Sequence, residues 1–178
     1  MLNIFLGRSS IILLLISLLI PKSVLALTID GYEVPQVIPA TSQNAELHLN
    51  GASLRTFYGV VDAYIGKLYV ENPTTDELAL VEADEYKRMI FRISMKRVSG
   101  RRIARAMYEA LQASIDEEEF IQLEERLELL VNFFDKSLRT GEEGYIEWVP
   151  GEGSRIVIKD DVKGIIPGKD LNDAILRI

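Results

Sequence analysis

The sequence predicts an α+β domain built on an antiparallel β-sheet, and two observations carry this prediction. Apolar and polar residues alternate in AELHLNG (45–51), as they do in half-buried strands, and YKRMIFRISM (86–95) predicts another strand with Met89, Phe91 and Ile93 on one side. The period becomes helical from Ser99 onward, and strand-like segments return in YIEWVP and SRIVIKD. Strands, a helical pair, further strands and a last helix give the α+β order.

The segment LRTFYGVVDAYIGKLYVE (54–71) is rich in aromatic and β-branched residues on both faces. It predicts two strands with a break near Gly59 or Asp62. Strands of this composition are covered on both sides or line a cavity. Arg55 stands near the start of this apolar segment, where a charged side chain needs a partner, a solvated face or a functional role.

Two helices with recognisable starts are predicted in the middle of the chain. Ser99 is placed to cap the first, and Asp116 with Glu119 has the spacing of a capping box at the start of the second. The apolar face of the first helix contains Ile103, Ala106, Met107, Ala110 and Leu111, and that of the second contains Phe120, Leu123, Leu127, Leu130, Val131 and Phe134. Smaller predicted features are a short strand at Tyr32–Val34, a short helix in TTDELALVEADE, a turn at Asp160 and Asp161, and a last helix beginning near Asp170.

The N-terminus has the three parts of a secretory signal peptide: a cationic residue, the apolar run IILLLISLLI, and small residues at Val24 and Ala26. We expect cleavage after Ala26 and a periplasmic or secreted protein. The apolar run is shorter than the about 20 residues that span a bilayer as a helix, so we expect no stable membrane span after cleavage. An uncleaved anchor is the alternative. Residues 27–44 then lead into one domain of residues 45–178.

The chain is acidic and contains no cysteine. Removal of residues 1–26 takes away Arg8 and Lys22 and changes the formal net charge from −7 to −9. A protein of this charge is a poor general partner for nucleic acid or an anionic membrane surface, so we expect no nucleic-acid partner. Without disulfides the apolar core must stabilise the fold, and a chain of this length is long enough to bury one.

The residue types exclude most metal centres and a histidine-dependent hydrolase. His48 is the only histidine, whereas zinc, haem and copper sites need clustered imidazole or thiolate ligands. We expect no metal and no cofactor. A carboxylate-only calcium or magnesium site is the alternative, with the acidic run DEEE (116–119) as its obvious candidate, and a solvated helix start explains this run better. We interpret His48 as a surface residue, because it lies on the polar face of its strand and no GxSxG motif accompanies it.

The cluster KRVSGRRIAR (96–105) places five cationic residues around the start of the first long helix. Cations oppose the helix dipole at that end, so an anion-binding role is one interpretation. A solvated basic rim on an otherwise acidic protein is the favoured one.

The order of short motifs resembles that of the chalcone isomerase-like family, in its bacterial exported branch. NGASLR, YIGKLYVE, VSGRRIARAMYEAL, YIEWVPGEG and KGIIPGKDLNDAILRI follow the family's order and spacing over roughly residues 45–178. The resemblance implies an open-faced β-sandwich, in which a large antiparallel sheet is covered by a layer of helices with a ligand cleft between them.

The resemblance also implies residue roles. In plant chalcone isomerases an arginine on an early strand binds the oxyanion that forms during ring closure, and Arg55 matches its position. The enzyme's threonine on the next strand falls at Tyr64, its tyrosine at Ile103 and its asparagine at Ala110. Ile103 and Ala110 offer no hydrogen bond, and losing one such donor costs about 3 kcal/mol of transition-state stabilisation. The catalytic residues therefore stay unassigned; in an enzyme, Arg55 would bind the oxyanion and Tyr64 would act as the acid.

Arg55 and Tyr64 also match the pair with which fatty-acid-binding relatives of the family grip a carboxylate. A guanidinium provides two parallel donors and a phenol provides a third. The favoured function is a non-catalytic binder of a fatty acid or another small amphiphilic carboxylate. An isomerase or lyase acting on a phenolic or enone substrate is the first alternative, and a ligand-free interaction module is the second. In a purely structural alternative, Arg55 pairs with Asp62 or Glu46 and Tyr64 belongs to the core.

Overall fold

The computed structural model describes residues 27–42, 44–57 and 61–178, with the backbone alone at residues 57, 61 and 62. The expected signal peptide and the predicted break at Gly59 lie outside the described residues. The described strands are β1 (Leu27–Ile29), β2 (Tyr32–Val34), β3 (Val37–Ile38), β4 (Leu47–Phe57), β5 (Val61–Val70), β6 (Lys87–Ile93), β7 (Arg97–Ser99), β8 (Ser137–Arg139), β9 (Glu143–Val149), β10 (Gly153–Ile158) and β11 (Asp161–Ile166). The described helices are α1 (Glu77–Glu82), α2 (Gly100–Ser114), α3 (Glu117–Phe133) and α4 (Lys169–Leu176). None of the four described helices combines the length and the hydropathy that a membrane-spanning helix requires.

A seven-stranded antiparallel sheet forms the centre of the fold. Its strand order is β11-β10-β9-β6-β5-β4-β3, and β1 with β2 and β7 with β8 form two small hairpins beside it. Helices α2, α3 and α4 pack on one face of the large sheet, which we call the helix face. The β1–β2 hairpin lies against the other, which we call the hairpin face. This architecture confirms the predicted α+β class, with a large antiparallel sheet covered by helices.

The main core lies between the helix face and the helices. β6 contributes Met89, Phe91 and Ile93, as its alternation predicted. α3 and Phe134, the residue that follows it, contribute the predicted apolar stripe, in which Leu123 and Phe134 are both 0% exposed. Removal of apolar surface from water, at about 25 cal/mol per Å², is the main force that holds the layers together.

β4 is longer than the alternation predicted. The sequence indicated one strand over residues 45–51 and a separate one after it, whereas Leu47–Phe57 forms a continuous strand paired with β5. Register irregularities between Leu49 and Gly51 and after Arg55 shift the phase of the alternation, so one strand carries both patterns. Asp62, one of the two predicted break positions, lies within β5.

Both middle helices begin at their predicted caps. Ser99 Oγ accepts a hydrogen bond from the backbone N–H of Arg102 at 3.3 Å, and Asp116 Oδ1 accepts one from Glu119 at 2.9 Å. The Glu119 carboxylate, predicted to complete a capping box, forms an ion pair with Arg177. This pair ties the start of α3 to the end of α4.

Ion pairs also hold the start of α4, whose predicted position near Asp170 is confirmed. Arg126 donates two parallel hydrogen bonds to Asp170, at 2.7 and 2.6 Å, and this contact holds the pKa of Asp170 below its ordinary value. Lys169 Nζ donates to the carbonyl of Val81 at 2.6 Å and pairs with Asp173 at 2.7 Å. These contacts fix α4 relative to α1 and α3.

The turn between β10 and β11 lies one residue before its predicted place. Lys159 and Asp160 have positive φ angles of 54° and 65°, as in a two-residue type I′ hairpin turn. Asp161, predicted as the second turn residue, begins β11 and pairs with Ile158. The ladder therefore extends to the last residue before the turn.

Asp161 gives the protein an expected dependence on acid pH. Its carboxylate lies 2.8 Å from Lys136 Nζ and 2.9 Å from Lys163 Nζ. Hydrogen bonds from Lys136 and Lys163 lower the pKa of Asp161 to about 2. A lowered pKa in the folded state stabilises that state above the unfolded pKa. The contribution is therefore present above about pH 4 and is lost as the pH falls toward about 2.

We expect Asp161→Asn to flatten the pH dependence of the free energy of unfolding between about pH 5 and about pH 2, as measured by urea denaturation. Added salt should reduce the difference from wild type, because the two ion pairs are partly exposed. Asp160→Asn, at the neighbouring turn position, is the control. Identical pH profiles for Asp161→Asn and the wild type would contradict this role.

The hairpin face is closed by aromatic contacts to the N-terminal hairpin. The ring centroid of Tyr32 lies 4.2 Å from the Arg92 guanidinium and 5.0 Å from Lys67 Nζ. The Tyr69 hydroxyl donates to the carbonyl of Pro35 at 2.8 Å. Burial raises the pKa of Tyr69 to about 12, so its hydroxyl stays protonated and keeps this hydrogen bond.

A row of charged residues also crosses the hairpin face on β6, β9 and β10. Arg88, Glu147 and Arg155 are direct cross-strand neighbours. Glu147 is 0% exposed; one carboxylate oxygen accepts from Nε of Arg88 at 2.8 Å and also from its Nη2, and the other accepts from Arg155 at 3.1 Å. The sequence did not predict this buried carboxylate.

Candidate functional site

A cavity of about 600 Å³ lies between the helix face and helices α2 and α4. Its floor is formed mainly by β4, β5 and β6, and its roof by the two helices. A cavity of this size is typical of a site for a small organic molecule.

Three successive cross-strand pairs of β4 and β5 form one part of the floor. They are the pairs Arg55–Tyr64, Ser53–Gly66 and Gly51–Leu68. All of these residues line the cavity. Consecutive pairs are two residues apart, which is roughly 7 Å along a strand. The floor therefore extends away from Arg55 and Tyr64 toward residues without ionisable side chains.

Among the described residues, the roof contributes only apolar side chains. α2 provides Ile103, Ala106, Met107 and Ala110, and the end of the chain provides Ile175, Leu176 and Ile178. The α2 residues recur at intervals of three and four, which places them on one face of the helix. Polar side chains at the cavity consequently come from the sheet.

Arg55 lies at the polar end of the cavity. The residue is exposed and makes no ion pair with a described residue. Of its two predicted structural partners, Glu46 lies 3.5 Å from His48 instead, and the side chain of Asp62 is not described. The Arg55 guanidinium is thus accessible to a ligand that enters from solvent. His48 is partly exposed and does not line the cavity.

Tyr64 connects this polar end to the core. Its half-buried ring meets Phe91 edge-on, with ring centroids 6.5 Å apart. The same ring packs against the main core and lines the cavity. The Tyr64 hydroxyl makes no hydrogen bond to a described residue. Tyr64 therefore has the core role of the structural alternative and also offers a donor at the cavity.

The other positions singled out by the family resemblance carry no polar group into the cavity. Ile103 and Ala110, which match the enzyme's tyrosine and asparagine, both line the roof. Lys67 also borders the cavity, but its ammonium group bonds to Glu143 at 2.9 Å on the hairpin face. It is not available as a second cation beside Arg55.

The remaining charged clusters lie outside this cavity. The five cations of residues 96–105 are exposed; Arg97 bonds to Ser137 at 3.3 Å and Arg105 to Glu109 at 3.0 Å. This placement favours the solvated-rim interpretation. The acidic run 116–119 forms the cap and first turn of α3. Within the described part of the chain, no three histidine or carboxylate residues are grouped as metal ligands would be.

Sequence reasoning overlooked Gly66, which lies in the middle of the cavity floor. A glycine inside a strand is unfavourable and often marks the close approach of another backbone or a ligand. Its position within the apolar run YIGKLYV was the signal that could have identified it.

The fold and the cavity can be compared with known proteins. The family described as chalcone isomerase-like matches residues 26–178. The chain belongs to this family. Among solved structures, this chalcone isomerase-like protein is similar to a fatty-acid-binding protein of Arabidopsis thaliana, with a TM-score of 0.67 and 16% sequence identity, over 85% of this chain and 86% of that one. At this identity the similarity shows the fold. A search of curated proteins finds no match.

Proposed function

We propose that this chalcone isomerase-like protein is exported, loses residues 1–26, and binds a fatty acid or a similar amphiphilic carboxylate without chemical turnover. The observation that carries the proposal is the pairing of Arg55 with Tyr64 at the exposed end of a cavity whose roof is apolar. One end suits a charged head group and the rest suits a hydrocarbon.

Arg55 and Tyr64 supply the donors for the head group. A guanidinium donates two parallel hydrogen bonds to a carboxylate, and the Tyr64 hydroxyl can add a third. Hydrogen bonds to charged groups contribute roughly 1.5 to 3 kcal/mol net. Because Arg55 is exposed, its contribution belongs near the lower end of that range.

The apolar walls supply most of the affinity. Burial of a methylene group is worth about 0.8 kcal/mol, so ten of them give roughly 8 kcal/mol before the cost of immobilising the ligand. Arg55 then sets the orientation of the ligand rather than its overall affinity. The description of the Arabidopsis structure as a fatty-acid-binding protein supports this choice of ligand.

The two alternatives fit the cavity less well. An isomerase or lyase needs polar groups where charge develops, and Ile103 and Ala110 are apolar at the matching positions. The interaction-module alternative does not account for a cavity of about 600 Å³. Turnover of a chalcone that is abolished by Arg55→Met would restore the enzyme alternative.

We expect Arg55→Met to weaken hexadecanoate binding roughly tenfold, because it removes the charged donors and keeps a similar apolar volume. Isothermal titration calorimetry of both proteins measures this change. The neutral methyl ester of hexadecanoate should bind both proteins alike. Arg101→Met, an exposed arginine that does not line this cavity, is the matched control. An equal loss in both variants, or none in Arg55→Met, would refute the role of Arg55.

Native mass spectrometry of protein purified from an exporting host tests the same proposal independently. The mass of the chain shows whether cleavage follows Ala26, and the mass of any co-purifying molecule identifies a natural ligand. A full-length chain would overturn the proposed cleavage, and an empty protein that also ignores added hexadecanoate would overturn the proposed binding.

A further inference from the structure

One row of residues crosses the helix face from the cavity into the core. Ser53, Gly66, Phe91 and Gly144 are direct neighbours on β4, β5, β6 and β9. Phe91 is the one large side chain among them, and a glycine stands on each side of it. These two glycines have different surroundings.

Gly144 accommodates the ring of Phe91. A Cβ atom at Gly144 would lie 2.4 Å from Cζ and 2.9 Å from Cε2 of Phe91, well inside van der Waals contact. Phe91 also stacks on Phe134, with ring centroids 5.7 Å apart. The ring therefore leans toward β9, and packing requires a glycine at position 144.

At Gly66, no described protein atom occupies the space that a Cβ atom would take. A Cβ atom there would meet nothing closer than Cε2 of Tyr64 at 3.7 Å and the carbonyl oxygen of Ser53 at 3.9 Å, which are ordinary contacts. Its φ does not lie in the left-handed region that favours glycine. Glycine within a strand nevertheless weakens it. Neither its backbone conformation nor the packing of the described residues explains this glycine.

We propose that Gly66 is the specificity-determining residue of the cavity, and that the apolar body of the ligand lies directly on its backbone. This inference rests on the proposed function. Gly66 belongs to the cross-strand pair next to Arg55–Tyr64, roughly 7 Å farther along the strand. The facing wall contains the apolar Ala106, Met107 and Ala110. A short carboxylate held by Arg55 ends before Gly66, whereas a long acyl chain crosses it.

Gly66→Val and Gly66→Ala test the proposal, with hexadecanoate and the fluorescent anion 1-anilinonaphthalene-8-sulfonate as probes. Gly66→Val should lower the affinity for both probes roughly tenfold or more, because the valine side chain occupies the space of the ligand. Gly66→Ala should lower this affinity less and raise the melting temperature by roughly 1 to 4 °C, since alanine limits the unfolded chain without strain in the folded one. Gly144→Ala is the control in the same row; it should lower the melting temperature, because it displaces Phe91.

The two probes separate this inference from the proposed function. Hexadecanoate binding that survives Gly66→Val overturns the role of Gly66 and leaves the fatty-acid proposal standing. Dye binding that Gly66→Val abolishes, in a protein that never binds hexadecanoate, supports Gly66 and refutes the fatty acid. A wild type that binds neither probe overturns both. A melting temperature lowered by Gly66→Ala would show that the glycine is structural and would overturn the inference.

Discussion

Replacement of Glu147 by glutamine is expected to destabilise the protein by about 3 kcal/mol. The carboxylate is 0% exposed and accepts hydrogen bonds from both Arg88 and Arg155. Glutamine keeps the shape but removes the charge, which leaves two guanidinium groups facing each other across β9. Arg88 and Arg155 retain 14% and 17% side-chain exposure, and this partial solvation places the cost near the lower end for a broken buried pair.

Urea denaturation measures the change, and Glu152→Gln is the control. Glu152 lies 3.5 Å from Arg155 with its side chain 53% exposed, so its loss should cost less than about 0.5 kcal/mol. High salt should reduce the effect of Glu152→Gln more than that of Glu147→Gln, because buried pairs are screened less. If both variants lost the same free energy of unfolding, the buried carboxylate of Glu147 would stabilise the protein no more than the exposed one of Glu152.

The buried position of Glu147 shows what the alternation of apolar and polar residues can and cannot predict. In β6 the pattern correctly placed Met89 and Phe91 on the core face, because a helical layer selects apolar residues along a whole strand. The opposite face carries Arg88, and polar residues there are normally solvated. β6 and β9 are separated in sequence by two helices, so their register, and with it the contact of Arg88 with Glu147, is a long-range property.

The candidate site was also predictable only in part. The family motifs selected Arg55 and Tyr64, but their direct pairing depends on the register of β4 and β5. That register shifts immediately after Arg55, and a shift of one residue moves a side chain to the other face. Gly66 lies inside the strand-like run YIGKLYV, and Gly144 follows two glutamates just before the strand-like run YIEWVP, yet both flank Phe91 in the sheet. The position of the Phe91 ring, which the sequence does not give, shows that Gly144 fits the core and Gly66 borders the cavity.

The second large effect is expected from Phe134→Ala, at about 3 to 5 kcal/mol. Phe134 follows α3, is 0% exposed and stacks on Phe91 with an interplanar angle of 26°. Its removal loses the transfer free energy of the ring and leaves a cavity that the sheet and three helices cannot fill without moving. Because Phe91 also meets Tyr64 in an edge-on arrangement, the stack supports the floor of the candidate site.

Urea denaturation of Phe134→Ala, Phe134→Leu and Phe133→Ala tests this expectation. Phe133 is the adjacent residue of the same type and is only half-buried, so its replacement should cost less than about 2 kcal/mol. Leucine at position 134 keeps most of the apolar volume and should fall between the two. A cost for Phe134→Ala no larger than that for Phe133→Ala would mean that neighbouring side chains refill the space. The Phe91 ring would then keep its position above Gly144 without stacking on Phe134.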